Sequence, residues 1–405
     1  MRILMVSDVY FPRINGVSTA IMTLRRELAR QGHEVTLIAP DYGSATEDEA
    51  GIHRVRSRGV WGDPEDRMMS RSGIRALLPK LARQDFDIVH IHTPFVAHYA
   101  GLELARALNL PVVETYHTFF EEYLFHYVPF VPKAAMRYLA RAFSRSQCAA
   151  LDGLIVPSKP MLEALQRYGI TTRSRIIPTG IEMADFAGGD GTAFRAHHGI
   201  PAEQPMLLFV GRVAHEKNIG FLLETMQHIR QVHTDALLML AGEGPALPAL
   251  QRRAVQLGLA DNVRFIGYLD RKKELLDCYR AADLFVFSSR TETQGLVLLE
   301  AMALGVPVVG LAIMGTADVL HHGRGAHIAQ DDVHDFAQRV NELLADQAHR
   351  SALANSAIDY AREWTAQEMT ARLARFYEQT IADKQAAVSR TGSPEEAAAP
   401  AVPRS

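Results

Sequence analysis

Two short apolar runs, 283–287 and 306–309, are rich in Val, Phe and Leu and too short for helices, so they read as buried strands. Between them a polar loop, Arg290-Thr-Glu-Thr-Gln-Gly295, runs into a helical pattern that Gly305 stops. Strands joined through a helix in this way pair in parallel, so this part of the chain is neither a helix bundle nor an all-β fold. In open parallel sheets, ligands bind beyond the carboxyl ends of the strands, where helix N-termini offer unpaired N–H groups to anions. The unit places Glu292 on the loop, Gly295 at the helix start and Glu300 within the helix. Two glutamates eight apart are ordinarily solvated side chains. Flanking an anion-binding helix start, they are placed to hold hydroxyls on either side of a bound phosphate. A phosphate between two polyols describes a nucleotide sugar.

The same pattern recurs elsewhere. Residues 3–6 predict a strand, 8–16 a loop with Pro12 and an Asn15-Gly16 turn signal, 17–31 a helix stopped by Gly32, and 35–39 the next strand. This opening lacks the Gly-x-Gly-x-x-Gly spacing of dinucleotide enzymes. Gly16 stands where loop becomes helix, and its missing side chain leaves a phosphate room to approach the backbone. A second series opens at 206–211 and continues as Gly211-Arg212-Val-Ala-His-Glu216-Lys217-Asn218, again at the carboxyl end of a strand. One guanidinium and one ammonium are suited to neutralising a diphosphate, and Arg212 and Lys217 supply them. The strand 263–266 ends at Gly267-Tyr268, where a bare backbone fits beside a base ring. The strand 112–116 runs into His117; a lone histidine is more often structural, but this one falls where a site belongs. Asp85-Phe86-Asp87 has the look of a metal motif yet lies at the amino end of a predicted strand, so no metal site is assigned.

A length of 405 residues with two such series predicts two α/β domains: 1–183, a Gly-rich linker region at 184–205, and 206–364. Residues 43–66 read as loop with one weak strand, and the Ala/Pro/Ser-rich stretch 385–405 reads as a disordered tail. A net charge of −3 argues against generic nucleic-acid binding. Cys148 and Cys278 stand in no metal or redox spacing, which suits a reducing, cytoplasmic compartment. The first residues read as a strand rather than a secretion signal, and no run approaches the ~20 apolar residues of a membrane span. Two basic stripes stand out: Arg67, Arg71, Arg75, Lys80 and Arg83, then Lys133, Arg137, Arg141 and Arg145, the second preceded by Tyr123, Phe125, Tyr127 and Phe130. Such stripes are usually solvated helix faces. Two in one domain without interspersed acids also suit an anionic membrane surface.

Taken together, the Gly16 loop, Tyr116-His117-Thr118, Gly211-Arg212 with Glu216-Lys217-Asn218, and the Glu292 to Glu300 string resemble the retaining glycosyltransferases of family four, with the two-domain GT-B fold. The likeness covers nearly the whole chain before the tail. It implies two Rossmann-like domains facing each other across a cleft, with final helices (365–384) crossing back to the first. It also implies a donor held by Arg212 and Lys217 at the diphosphate, aided by N–H groups near Gly16 and at Gly295, Leu296 and Val297. By the same resemblance Glu300 takes the ribose hydroxyls, Glu292 with Thr293 and Gln294 takes the sugar, Gly267 borders the base, and His117 contacts the sugar near its anomeric carbon. Tyr10 and the loop to Asn15 fall near the acceptor. No metal or other cofactor is required in this scheme. The wording Thr-Glu-Thr-Gln-Gly-Leu and Tyr-His-Thr-Phe-Phe-Glu-Glu-Tyr is similar to the branch that glycosylates diacylglycerol, with phosphatidylinositol mannosyltransferases sharing much of it. The expected activity is hexose transfer, with UDP-glucose favoured, to a glycerolipid by a peripheral enzyme on the inner face of the cell membrane. Transfer from GDP-mannose or a UDP-sugar to a soluble or polyprenyl-linked acceptor is the alternative.

Overall fold

A computed structural model describes residues 1–43, 50–60, 63–117 and 133–391. Among these the chain forms two sheets. The first contains β1 (Arg2–Val6), β2 (Glu34–Asp41), β3 (Ile52–Val60), β4 (Asp63–Met69), β5 (Ile88–Ile91), β6 (Val112–Thr115), β7 (Gly153–Val156) and β8 (Ser174–Ile176). Its strand order is β4-β3-β2-β1-β5-β6-β7-β8, with only the β3–β4 pair antiparallel. The second contains β9 (Met206–Val210), β10 (Leu237–Ala241), β11 (Val263–Gly267), β12 (Leu284–Phe287), β13 (Val308–Leu311) and β14 (Ala326–Ala329), in the order β11-β10-β9-β12-β13-β14, all parallel. The central strands are buried along their whole length, as near-continuous Val, Leu, Ile and Phe runs require when helices cover both faces.

Each sheet reverses its strand order once, between β1 and β5 in the first and between β9 and β12 in the second. Diverging connections open a crevice at such points. The loop after β1 leads into the helix that starts at Gly16, and the loops after β9 and β12 carry Arg212 and Glu292, so the motifs read from sequence issue from these openings.

The final helix, Ala366–Thr391, returns to the first domain. Its Leu373, Phe376 and Tyr377 are buried with Ile3, Met5, Ile88, Val113 and Ile155 in a single apolar cluster. The crossing point is pinned by main-chain bonds from Ile181 N to Trp364 O (2.8 Å) and Ala366 N to Ile181 O (2.9 Å). Gly180 is required there, since a Cβ would sit 2.5 Å from the Thr365 carbonyl.

Three sequence expectations are refined. The Gly-rich linker region 184–205 is itself packed: the helix Gly191–His197 lies on the helix Glu274–Ala281, and Arg195 donates to Ala281 O and Asp283. Its glycines serve close approach, because a Cβ on Gly191 would lie 2.3 Å from Arg280 O. The weak strand in 43–66 is a β3–β4 hairpin at the sheet edge, where solvated arginines on one side mask the alternation. Of the expected tail, 385–391 is helical, continuing the final helix through good helix formers; 392–405 lies outside the described residues.

Candidate active site

A cavity of about 320 Å³ between the domains is lined by residues of both. Of the residues singled out in the sequence, His117, Gly16, Arg212, Lys217, Glu292, Thr293, Gln294, Gly295, Leu296, Val297 and Glu300 all line it. Gly267 does not; its φ of +71° makes the turn that presents Tyr268 and Leu269 instead.

Two helix starts face the cavity. Asn15 caps the helix Gly16–Arg30 by accepting from Ser18 N at 2.8 Å, and a Cβ on Gly16 would meet nothing within 4 Å. Packing therefore does not demand a glycine there; the open space belongs to the cavity. Opposite, Gly295 (φ +88°) starts the helix Leu296–Ala303 without a side-chain cap, so its first N–H groups lack intrahelical partners. The loop before it is fixed from behind: Gly315 N donates to Glu292 O at 2.8 Å, and a Cβ on Gly315 would lie 1.9 Å from Thr293 O.

Charge is concentrated on the second-domain wall. Lys217 Nζ sits 2.5 Å from Glu292 Oε2, with both side chains only about one-fifth exposed. Arg212 lies 3.7 Å from Glu216. Glu300 is buried; one carboxylate oxygen accepts from Arg271 at 2.6 Å and the other from the Tyr279 hydroxyl at 3.0 Å. The neighbouring Glu300 carboxylate raises the Arg271 pKa, and burial pushes Tyr279 well above the usual phenol range, so the three form one fixed charge-assisted network. Sequence reading missed Arg271 and Tyr279. They stand 29 and 21 residues from Glu300, and no periodic pattern links them to it.

On the first-domain wall, the part-buried His117 ring places Nε2 3.3 Å from His92 Nδ1, and burial lowers its pKa to about 4. Gln294, in the cavity lining, also ties the two domains together. Its amide bonds the main chain of Thr179 twice across the domains, accepting from N at 2.8 Å and donating to O at 2.6 Å. Nearby, Lys159 N donates to Asp318 at 2.5 Å, a second polar tie between the halves. Tyr10 is buried, its ring edge-on to Phe11 and its hydroxyl accepting from Arg25 at 3.0 Å.

The two basic stripes part company. Arg71 and Arg75 both pair with Glu103 on the helix Val96–Leu108, an acid that local sequence could not reveal. On the helix Lys133–Cys148, Arg137, Arg141 and Arg145 are exposed, alongside Tyr138 and Leu139 at 66% and 56% exposure. The aromatics Tyr123, Phe125, Tyr127 and Phe130, and Thr118, lie outside the described residues. No described helix is long and apolar enough to cross a membrane.

Residues 14–185 match the family described as Glycosyltransferase Family 4, and residues 190–364 match Glycosyl transferases group 1. The chain is 34% identical to an alpha-monoglucosyldiacylglycerol synthase of Streptococcus pneumoniae, covering 85% of this chain and 86% of that one. It is 29% identical to a GDP-mannose-dependent alpha-mannosyltransferase of Mycobacterium tuberculosis, over 90% and 93% of the two. In fold it resembles the sucrose-phosphate synthase of Thermosynechococcus elongatus, with a TM-score of 0.73 at 22% identity, covering 94% of this chain and 99% of that one. Two parallel sheets, a cleft lined from both and these matches together place the chain among the glycosyltransferases: it belongs to family four, group 1, with the GT-B fold.

Proposed function

We propose that this glycosyltransferase moves glucose, with retention, from UDP-glucose to diacylglycerol at the inner face of the cell membrane. The observation that carries the reading is the convergence, in one cavity, of the Arg212 and Lys217 cations with the Gly16 and Gly295 helix starts. In this reading the diphosphate lies among them, Glu300 takes the ribose, and Glu292 and Thr293 the hexose. The loop after Gly267 borders the base. Lys217 leaves Glu292 for the diphosphate when donor binds, which frees the carboxylate for sugar hydroxyls.

The chemistry follows from where charge grows. The bond from the anomeric carbon to the phosphate oxygen breaks, and its electron pair stays on the diphosphate. Cations and N–H groups already in place stabilise that charge most in the transition state, and each donor is worth ~10²–10³ in rate. Arg212 and Lys217 supply the positive charge, so no metal is given a role. The acceptor oxygen attacks from the face the phosphate leaves, and its proton passes to a leaving phosphate oxygen.

The lipid acceptor is supported by the likeness to the glucosyldiacylglycerol synthase and by the helix Lys133–Cys148. That helix presents exposed Tyr138 and Leu139 beside three arginines, a face able to sit in an anionic interface, where each basic group contributes ~1 kcal/mol.

The test is transfer of radiolabel from UDP-glucose and, in parallel, GDP-mannose to vesicles of diacylglycerol in anionic phospholipid. Label from UDP-glucose in the organic phase is the expected result. Organic label from GDP-mannose alone would replace the donor. Label that stays aqueous with both, although donor binds, would overturn the lipid acceptor in favour of a soluble one.

A further inference from the structure

The first-domain wall of the cavity is backed by a buried chain of rings that the transfer reaction, as described so far, does not use. From the final helix, the Tyr377 hydroxyl lies 2.6 Å from His90 Nδ1, and His90 Nε2 lies 2.7 Å from the Thr115 hydroxyl. The His90 ring packs on His92 with centroids 3.9 Å apart. His92 Nδ1 reaches His117 Nε2 at 3.3 Å, and His117 lines the cavity. His90 and His92 are wholly buried, and His92 Nε2 has no hydrogen-bond partner among the described residues.

That unpartnered nitrogen decides the tautomers. Burial lowers His90 to about 3, His117 to about 4 and His92 well below the usual imidazole range, so all three rings are neutral and each carries one N–H. If His117 Nε2 carried its proton and donated, the His92 proton would sit on Nε2, a buried N–H with no acceptor. Orphaned buried N–H groups are rare and costly. With the proton on His92 Nδ1, only a lone pair is left without a partner.

We infer that His92 is a positioning residue for His117: its Nδ1–H donates to His117 Nε2, so that His117 presents Nδ1–H to the cavity. The inference rests on the reading of that cavity as the donor site. It makes His117 a hydrogen-bond donor to a sugar oxygen and denies it the role of proton acceptor, in keeping with delivery of the acceptor's proton to the leaving phosphate. The packing of His90 between Tyr377 and Thr115 holds the His92 ring in the required plane. The helix that crosses back from the second domain thereby fixes a group in the site.

The test is a two-bond proton–nitrogen correlation spectrum of the full-length protein carrying nitrogen-15 histidine, with His117 assigned by comparison with His117→Gln. The pattern of an Nδ1–H tautomer for His117 is expected; an Nε2–H pattern overturns the inference. The spectrum needs no substrate, so its outcome is independent of whether lipid or another acceptor takes the sugar. Kinetics supply the second readout. His92→Leu should lower kcat on the order of 10- to 100-fold, the scale of a small misplacement, with donor KM within about threefold. His92→Asn, whose amide N–H falls near the Nδ1 position, should recover most of that loss. Equal losses in both variants at unchanged melting temperature would show a packing role alone and overturn the inference.

Discussion

At the scale of single residues, Glu300 shows how a motif and its supports differ in visibility. Glu292 and Glu300 were legible because one helix start holds both, and their spacing carries chemical sense. The groups that hold Glu300 come from the loop after β11 and from the helix Glu274–Ala281, and only the folded chain brings them together. Arg271 binds one oxygen of the carboxylate and lines the cavity, while Tyr279 holds the other from the buried side. Removing the guanidinium leaves Glu300 oriented by Tyr279 alone and buried with its charge less compensated. With Glu300 in its proposed role at the ribose, which would be held alike in ground and transition states, Arg271→Ala is expected to raise donor KM about tenfold while kcat changes by less than about threefold. Steady-state kinetics with varied donor checks this. A fall in kcat at unchanged KM would assign Arg271 to the reacting centre instead.

At the scale of elements, what was legible followed from burial. The central strands lie between layers of helices, so they appear as unbroken apolar runs that sequence reading finds directly. The edge hairpin was half missed because its arginines face solvent. The packing of the glycines of 184–205 was not legible for a different reason. Gly189 and Gly191 let one backbone approach another, at 2.7 Å from Leu276 O and 2.3 Å from Arg280 O for a would-be Cβ, and composition cannot tell that use from flexibility. Gln294 lines the cavity within the motif, and its amide also links that loop to Thr179 of the first domain, a contact that only the folded chain brings about.

At the scale of the whole molecule, the two domains share a core at the crossing helix, and the buried histidines tie that core to pH. His90 and His117 have folded pKa values lowered to about 3 and about 4 from an ordinary 6.5, and His92 shifts the same way. Below 6.5 the unfolded chain binds protons that the native rings refuse, so stability is fully present above 6.5 and is lost as pH falls toward 3. Glu114, its carboxyl pushed up by burial, opposes this, while His33, His53, His198 and His327, lowered by burial, act in the same direction as the three rings. The melting temperature is expected to fall steadily between pH 6.5 and 4, and more gently in His90→Phe. An equal slope in that variant would mean the buried rings do not set the dependence.

The proposed retention requires attack from the face that the diphosphate leaves, with the cavity's cations and helix starts stabilising the departing group. The anomeric configuration of the glycolipid product, read from the proton coupling at the sugar's first carbon by NMR, tests this most directly. An α-linked product from the α-linked donor, with the small coupling of an equatorial oxygen, is predicted. A β-linked product, with the large diaxial coupling, would contradict it.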